Sequence, residues 1–194
     1  MGDWVEGKRT GKGRLRSMNG VEYEGEYLCN QRHGTGKYIY ASGASYCGQW
    51  VADKMHGKGL FNYMDGSSYE GSFIEDTVSG QGVYRYANGN VYSGEWKSGK
   101  RHGRGICTYA NGATYEGDFV EDMRHGVGVF TTPNDFDVYA GEFVNDERTG
   151  TAMGTLTSSD GGVYHGELVE GRMSGFGLYT WPGGNTYQVL AQST

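Results

Sequence analysis

The chain has 194 residues, which bounds it to one or two domains, and its net charge of −6 disfavours a general binder of nucleic acid or of anionic membrane. Glycine supplies 36 residues, tyrosine 16 and proline only 2, and an aromatic share of 14% argues for a folded chain in which glycine has a geometric task, against disorder. The three cysteines, Cys29, Cys47 and Cys107, form no CxxC spacing, so neither a disulfide framework nor a zinc knuckle can be read; free thiols in a reducing cytosol are expected. The N-terminal stretch has no apolar run of the signal-peptide kind, and no segment approaches the ~18 apolar residues of a membrane span.

In chain order, Met1 to Glu22 comes first. Tyr23 then opens a pattern that returns at Tyr46, Tyr69, Tyr92 and Tyr115, each 23 residues on, and at Tyr139, Tyr164 and Tyr187 after 24, 25 and 23. With the tyrosine as position 1, position 3 is Gly25, Gly48, Gly71, Gly94, Gly117, Gly141 and Gly166. Position 5 is Tyr27, Trp50, Phe73, Trp96, Phe119, Phe143 and Leu168, and position 12 is Gly34, Gly57, Gly80, Gly103, Gly126, Gly150 and Gly175. In Met1 to Glu22, Gly2 and Trp4 occupy positions 3 and 5 and the tyrosine is missing, which suggests a chain that continues a longer array. Repeat five carries one extra residue near Pro133-Asn134-Asp135; repeat six carries two, with Thr149 and Ala152 at degenerate positions, so the pairing should be distorted there.

Each repeat holds two runs of strand length and no helical periodicity. Asn30, Asp53, Asp76, Gly99, Asp122, Asp146 and Gly171 mark the first turn at position 8, and Asn88-Gly89 or Asn111-Gly112 marks the second. The reading is all-β: an elongated single-layer antiparallel meander of hairpins. About 16 strands at ~4.8 Å would span roughly 75 Å. A two-residue second turn would pair the strands so that the tyrosine, the position-5 aromatic and the position-15 aliphatic (Tyr92, Trp96, Ile106) share one face, with Leu28, Tyr38 and Tyr40 on the other. Aromatic rings should lie over the strand glycines.

The pattern, clearest in YSGEWKSGKRHGRG from Tyr92 to Gly105, resembles the MORN repeat. The resemblance covers a partial repeat at 1–22, seven repeats starting at 23, 46, 69, 92, 115, 139 and 164, and a terminal strand and tail at 187–194. It implies a non-catalytic scaffold without cofactor, like the all-MORN cytoskeletal proteins of parasitic protists, with cytoskeletal or membrane-associated protein partners on the cytoplasmic side. Its alternative implication is a module that tethers membranes by reading phosphoinositides.

Several motifs imitate chemistry. Gly94 to Lys100 mimics a phosphate-binding loop, but Arg101 stands where Ser or Thr must follow. His33, His56, His102 and His125 share position 11, yet successive repeats lie ~10 Å apart, too far for ligands that sit ~2 Å from one ion. The acids Glu26, Glu95, Asp118, Glu142 and Glu167 read as a solvated stripe, and no Ser/His/Asp or Cys/His set stands outside the repeat. Three candidate sites remain. The aromatic row Trp4, Tyr27, Trp50, Phe73, Trp96, Phe119 and Phe143 would dock partners. The basic cluster Lys97, Lys100, Arg101, Arg104 and Arg124 would meet lipid headgroups, against its reading as a solvated turn edge. The uncharged last strand, with Tyr187, Val189 and Leu190, would pair with itself in a C2 homodimer.

Overall fold

Short runs that alternate aromatic or glycine with polar residues, cut every few residues by turn formers, favour strands, and no α-helix occurs among the described residues. The computed structural model describes residues 2–133, 137–149, 151–158 and 160–191. It divides into two units, Met1–Lys100 and Arg101–Thr194. The first holds β1 (Gly2–Val5), β2 (Lys8–Arg16), β3 (Glu22–Leu28), β4 (Gln31–Ile39), β5 (Ser45–Val51), β6 (Lys54–Asn62), β7 (Ser68–Ile74), β8 (Thr77–Arg85) and β9 (Val91–Lys97). The second unit opens within β10 (Lys100–Thr108) and continues through β11 (Thr114–Val120), β12 (Met123–Thr131), β13 (Asp137–Val144), β14 (Glu147–Thr149), β15 (Thr151–Thr157), β16 (Val163–Val169), β17 (Arg172–Thr180) and β18 (Thr186–Ala191). Within each unit consecutive strands pair antiparallel, except that β13 pairs with both β14 and β15.

The register differs from the expected one at both turns. Between β3 and β4, Tyr23 faces Tyr38 and Gly25 faces Gly36, and the ladder then shifts so that Glu26 faces His33. Gly34 and Thr35 are the extra residues, and Gly34 sits at φ 62°, where a β-carbon is strained. The second turn spans five residues, not two: Tyr86 N–H donates to the Asn90 carbonyl and Gly89 N–H to that of Tyr86. The faces are therefore corrected. The opening tyrosine shares its face with the aromatics at positions 5 and 16, so Tyr38 lies on the inner face, while Ile106 is 44% exposed on the outer face of its unit. Leu28 is on the outer face as expected. The distortion expected near repeat six is present. Inside the hairpin the pairing is regular, Glu142 with Thr149 and Tyr139 with Gly154, and the two extra residues instead shift β15 against the next repeat, so that Leu156, not Gly154, faces Tyr164. Asn134 and Asp135 lie outside the described residues.

The core is a file of tyrosines. The rings of Tyr23, Tyr46, Tyr69, Tyr92, Tyr115 and Tyr164 are fully buried. Tyr46 lies across Gly48 and Gly59, and its hydroxyl donates to the Gln49 carbonyl at 2.9 Å. A β-carbon on Gly59 would fall 2.4 Å from that ring, and one on Gly48 2.5 Å from the Gly59 backbone. Each ring also meets its neighbours edge-on: Tyr46 lies 5.1 Å from both Trp50 and Phe73, at 89° and 81°.

Two predictions follow from this core. Gly48→Ala should destabilise the chain by about 2 kcal/mol, because the obstruction is backbone and cannot swing away. Gly66→Ala, at φ 87° with nothing nearby, should cost only about 1 kcal/mol, from the left-handed conformation alone. Urea unfolding followed by circular dichroism ranks the two. Burial also pushes the phenols of Tyr46, Tyr63, Tyr69 and Tyr115 up to about 12. The raised values favour the neutral, folded form, so this stabilisation is complete below about 10, the ordinary value, and is lost as pH rises towards 12. Phenolate absorbance and loss of strand signal should therefore rise together in an alkaline titration. Ionisation of most tyrosines with the strands intact would contradict the packing.

Candidate functional site

The aromatic row is placed in the core. Tyr27, Trp50, Phe73, Trp96, Phe119 and Phe143 are at most 7% exposed, and only Trp4, at 63%, is open to solvent. The expectation of an exposed docking row is thus corrected for six of its seven members: alternation along the strand puts them on the tyrosine face, where they pack against those rings out of solvent.

An arginine at position 10 covers the row. The Arg32 guanidinium lies 4.2 Å from the Trp50 ring centroid, Arg9 lies 4.7 Å from Tyr27, and Arg124 lies 5.3 Å from Phe143. Each also ties one repeat to the next. Arg32 N–H and Nε donate to Asp53 Oδ1 at 2.9 and 3.0 Å, Nη2 donates to the Asp53 carbonyl at 2.6 Å, and Asp53 N–H returns a bond to the Arg32 carbonyl at 3.0 Å. Arg101 with Asp122 and Arg124 with Asp146 repeat the arrangement. Asn30 serves Arg9 in the same way, and where Met55 replaces arginine its N–H still reaches Asp76 Oδ1 at 2.8 Å. These stitches were missed in the sequence, where the acid at position 8 read only as a turn former. The detectable signal was the recurring pair of an arginine and an acid 21 or 22 residues later.

The acids at position 4 are also structural in part. Glu26 accepts from Thr35 N–H at 3.1 Å and Thr35 Oγ1 at 2.7 Å, which satisfies the bulge and holds the Glu26 carboxyl below its ordinary value. Gln49 does the same for Lys58 N–H at 2.8 Å. His33, His56 and His125 face these positions across the ladder. The Nδ1 atoms of His102 and His125 are buried without a hydrogen-bond partner. No cluster of metal-ligating side chains occurs among the described residues. Gly94 to Lys97 belong to β9, and Ser98 and Gly99, at φ 50° and 81°, form the turn after it.

The basic candidates are divided. Lys97 and Lys100 belong to the first unit, and Arg101, Arg104 and Arg124 to the second. Arg101 and Arg124 are largely buried in their stitches, and Arg104 pairs with Asp118 at 3.2 Å. At the last strand, β18 pairs with β17 from Thr180↔Thr186 to Gly175↔Ala191, and Tyr187 is 61% exposed. The side chains of Val189 and Leu190 lie outside the described residues. No helix is long and apolar enough to cross a membrane among the described residues.

Asp53→Ala should lower stability by about 2 kcal/mol, from the lost acceptor and an alanine at φ 67°. Asp53→Asn keeps both the acceptor oxygen and the left-handed tolerance and should lose less. Chemical denaturation of the two variants tests the order.

A family model described as MORN repeat matches residues 1–22, 23–45, 46–68, 69–91, 92–114, 115–135, 139–163 and 164–186. No curated protein matches in sequence. Among solved structures, the chain is similar to the SAS-4 TCP domain of Drosophila melanogaster in complex with a proline-rich motif of Ana2, at 15% identity over 91% of this chain and 88% of that one, with a TM-score of 0.42. It is also similar to the G-box domain of the microcephaly protein CPAP, at 10% identity over 94% and 100%, with a TM-score of 0.45.

Proposed function

Because the chain belongs to the MORN-repeat family, we propose that it is a non-catalytic scaffold that docks partner proteins and associates with itself, in the cytoplasm at a membrane-associated cytoskeletal structure. The observation that carries this reading is the commitment of the chemistry-bearing groups to the repeat. Tyrosine hydroxyls close on strand carbonyls, arginines stitch neighbouring repeats, and Glu26 satisfies a bulge. What this leaves for function is surface. Self-association is assigned to β18, whose six residues carry no charge that would block edge pairing.

The phosphoinositide reading is weaker, since Arg101, Arg104 and Arg124 already face carboxylates. The test is affinity capture from the native cell, followed by reconstitution of each captured protein with the purified chain. At least one direct complex at micromolar concentration is expected, and failure of every reconstitution overturns the scaffold. Light scattering should give the mass of a dimer, reduced to a monomer by Val189→Lys; a wild-type monomer would remove self-association. Co-sedimentation with phosphoinositide liposomes that is lost on changing Lys97, Lys100, Arg101 and Arg104 to Ser would reverse the order of the two readings.

A further inference from the structure

Charge is divided unequally along the chain. Met1–Lys100 has twelve Lys and Arg against eleven Asp and Glu, a net +1. Arg101–Thr194 has five against twelve, a net −7. The acids of the second unit therefore outnumber its cations by seven.

The outer faces differ in the same sense. In the first unit the outward positions on the second strand of each hairpin carry Lys12, Arg14, Lys37 and Lys58, with Leu60 and Val83 on either side of Glu70, and Arg14 faces Glu24 across the ladder with a contact of 3.7 Å. That face neutralises itself. In the second unit the equivalent strands carry Arg104, paired with Asp118, and then Ile106, Val127, Val129, Met153, Phe176 and Leu178, six apolar residues that are 40% to 62% exposed. The strands between them carry acids. Glu116 faces both Ile106 and Val129, Glu142 faces Val127, and Glu167 faces Met153. Cross-strand neighbours lie about 5 Å apart, so each acid sits beside exposed apolar surface. Towards β18 the face dips into an open depression of about 530 Å³, floored by Gly166 and Gly177 and walled by Met153, Phe176 and Leu178.

Resting on the scaffold reading and narrowing its partner, we propose that this face docks a cation-rich extended segment of another protein. Apolar side chains alone would suit many occupants, but the unneutralised acids select one rich in Lys or Arg. They oppose an anionic bilayer and a second copy of the same acidic face. Spacing restricts the segment further. The apolar strands β10, β12, β15 and β17 alternate with the acidic ones, so apolar contacts recur about every 9.6 Å along the sheet. An extended or polyproline-type chain rises about 3.2 Å per residue and covers that distance in about three residues. The expected ligand has an apolar residue at every third place with cations between.

The test is fluorescence anisotropy with the full chain and a labelled peptide of repeated Leu-Lys-Lys triplets. Saturable binding is expected, weakening steeply with salt. Val127→Ser combined with Phe176→Ser should weaken it about tenfold or more, the loss of two exposed apolar contacts. Both sites are on the surface, and circular dichroism checks that the strands persist. Glu116→Gln combined with Glu142→Gln should weaken it several-fold and flatten the salt dependence. Equal binding of Gly-Lys-Lys triplets, or of Leu-Lys alternation, would overturn the proposal, as would binding unchanged by the serine pair. A dimer that the serine pair dissolves would put a second copy on this face and also overturn it. Absence of peptide binding beside a successful partner reconstitution would sink this inference and leave the scaffold standing. Failure of every reconstitution would remove the scaffold itself.

Discussion

In seven repeats a buried tyrosine ring closes its hydroxyl on a carbonyl three residues ahead, and in the regular repeats it lies across two glycines that face each other on adjacent strands. A sheet without a second layer has little means of excluding water from either face. The flattened ring supplies that means locally, by replacing the missing side chains of the glycines with its own face. The remaining features of the repeat serve this contact. Glycine is required at both places because a β-carbon would occupy the space of the ring. The bulge at Gly34 and its equivalents sets the register that brings both glycines under the ring. The aromatic at position 5 closes the ring from the side, edge to face.

Cohesion between repeats is equally local. Arg32 covers Trp50 of the next repeat and binds Asp53 in its turn, so removing one stitch affects two repeats and no more. Stability of this kind adds by nearest neighbours, and substitutions in separate repeats should be close to additive. Where the acid is replaced by glycine, as at Gly99, a backbone bond from Gly99 N–H to the Val78 carbonyl remains. The repeat therefore tolerates loss of the side-chain stitch at Gly99.

Strand content, the antiparallel meander and the glycine–ring contact were legible from the period alone, because a fixed spacing of tyrosine, glycine and aromatic allows few arrangements. Facing was not. It depended on whether each turn held an even or an odd number of residues: the first holds two and the second five, not two, while the bulge at Gly34 leaves no mark beyond a glycine already used by the motif. That error placed Ile106 inside and Tyr38 outside; the aromatic row lies with the tyrosines on either reading, and what the period did not reveal is that this face is buried. The basic cluster misled for a related reason: Arg101 and Arg124 are spent on acids a full repeat away, beyond the reach of local charge counting. The outer face of the second unit, with its exposed apolar residues and excess acid, could be recognised only once the facing was known.

Function then moves from the aromatic row to the opposite face. A repeat that uses its rings as core presents to partners whatever varies at the outward positions, and those positions differ between the units: mostly lysine and arginine in one, mostly valine, isoleucine, methionine and phenylalanine in the other. The central claim, that the aromatic row is interior, is tested most directly by hydroxyl-radical footprinting of the free chain in solution. Trp50, Phe73 and Phe143 should react slowly while Met153 and Phe176 react fast. Rapid modification of the aromatic row in the free, folded chain would contradict the account.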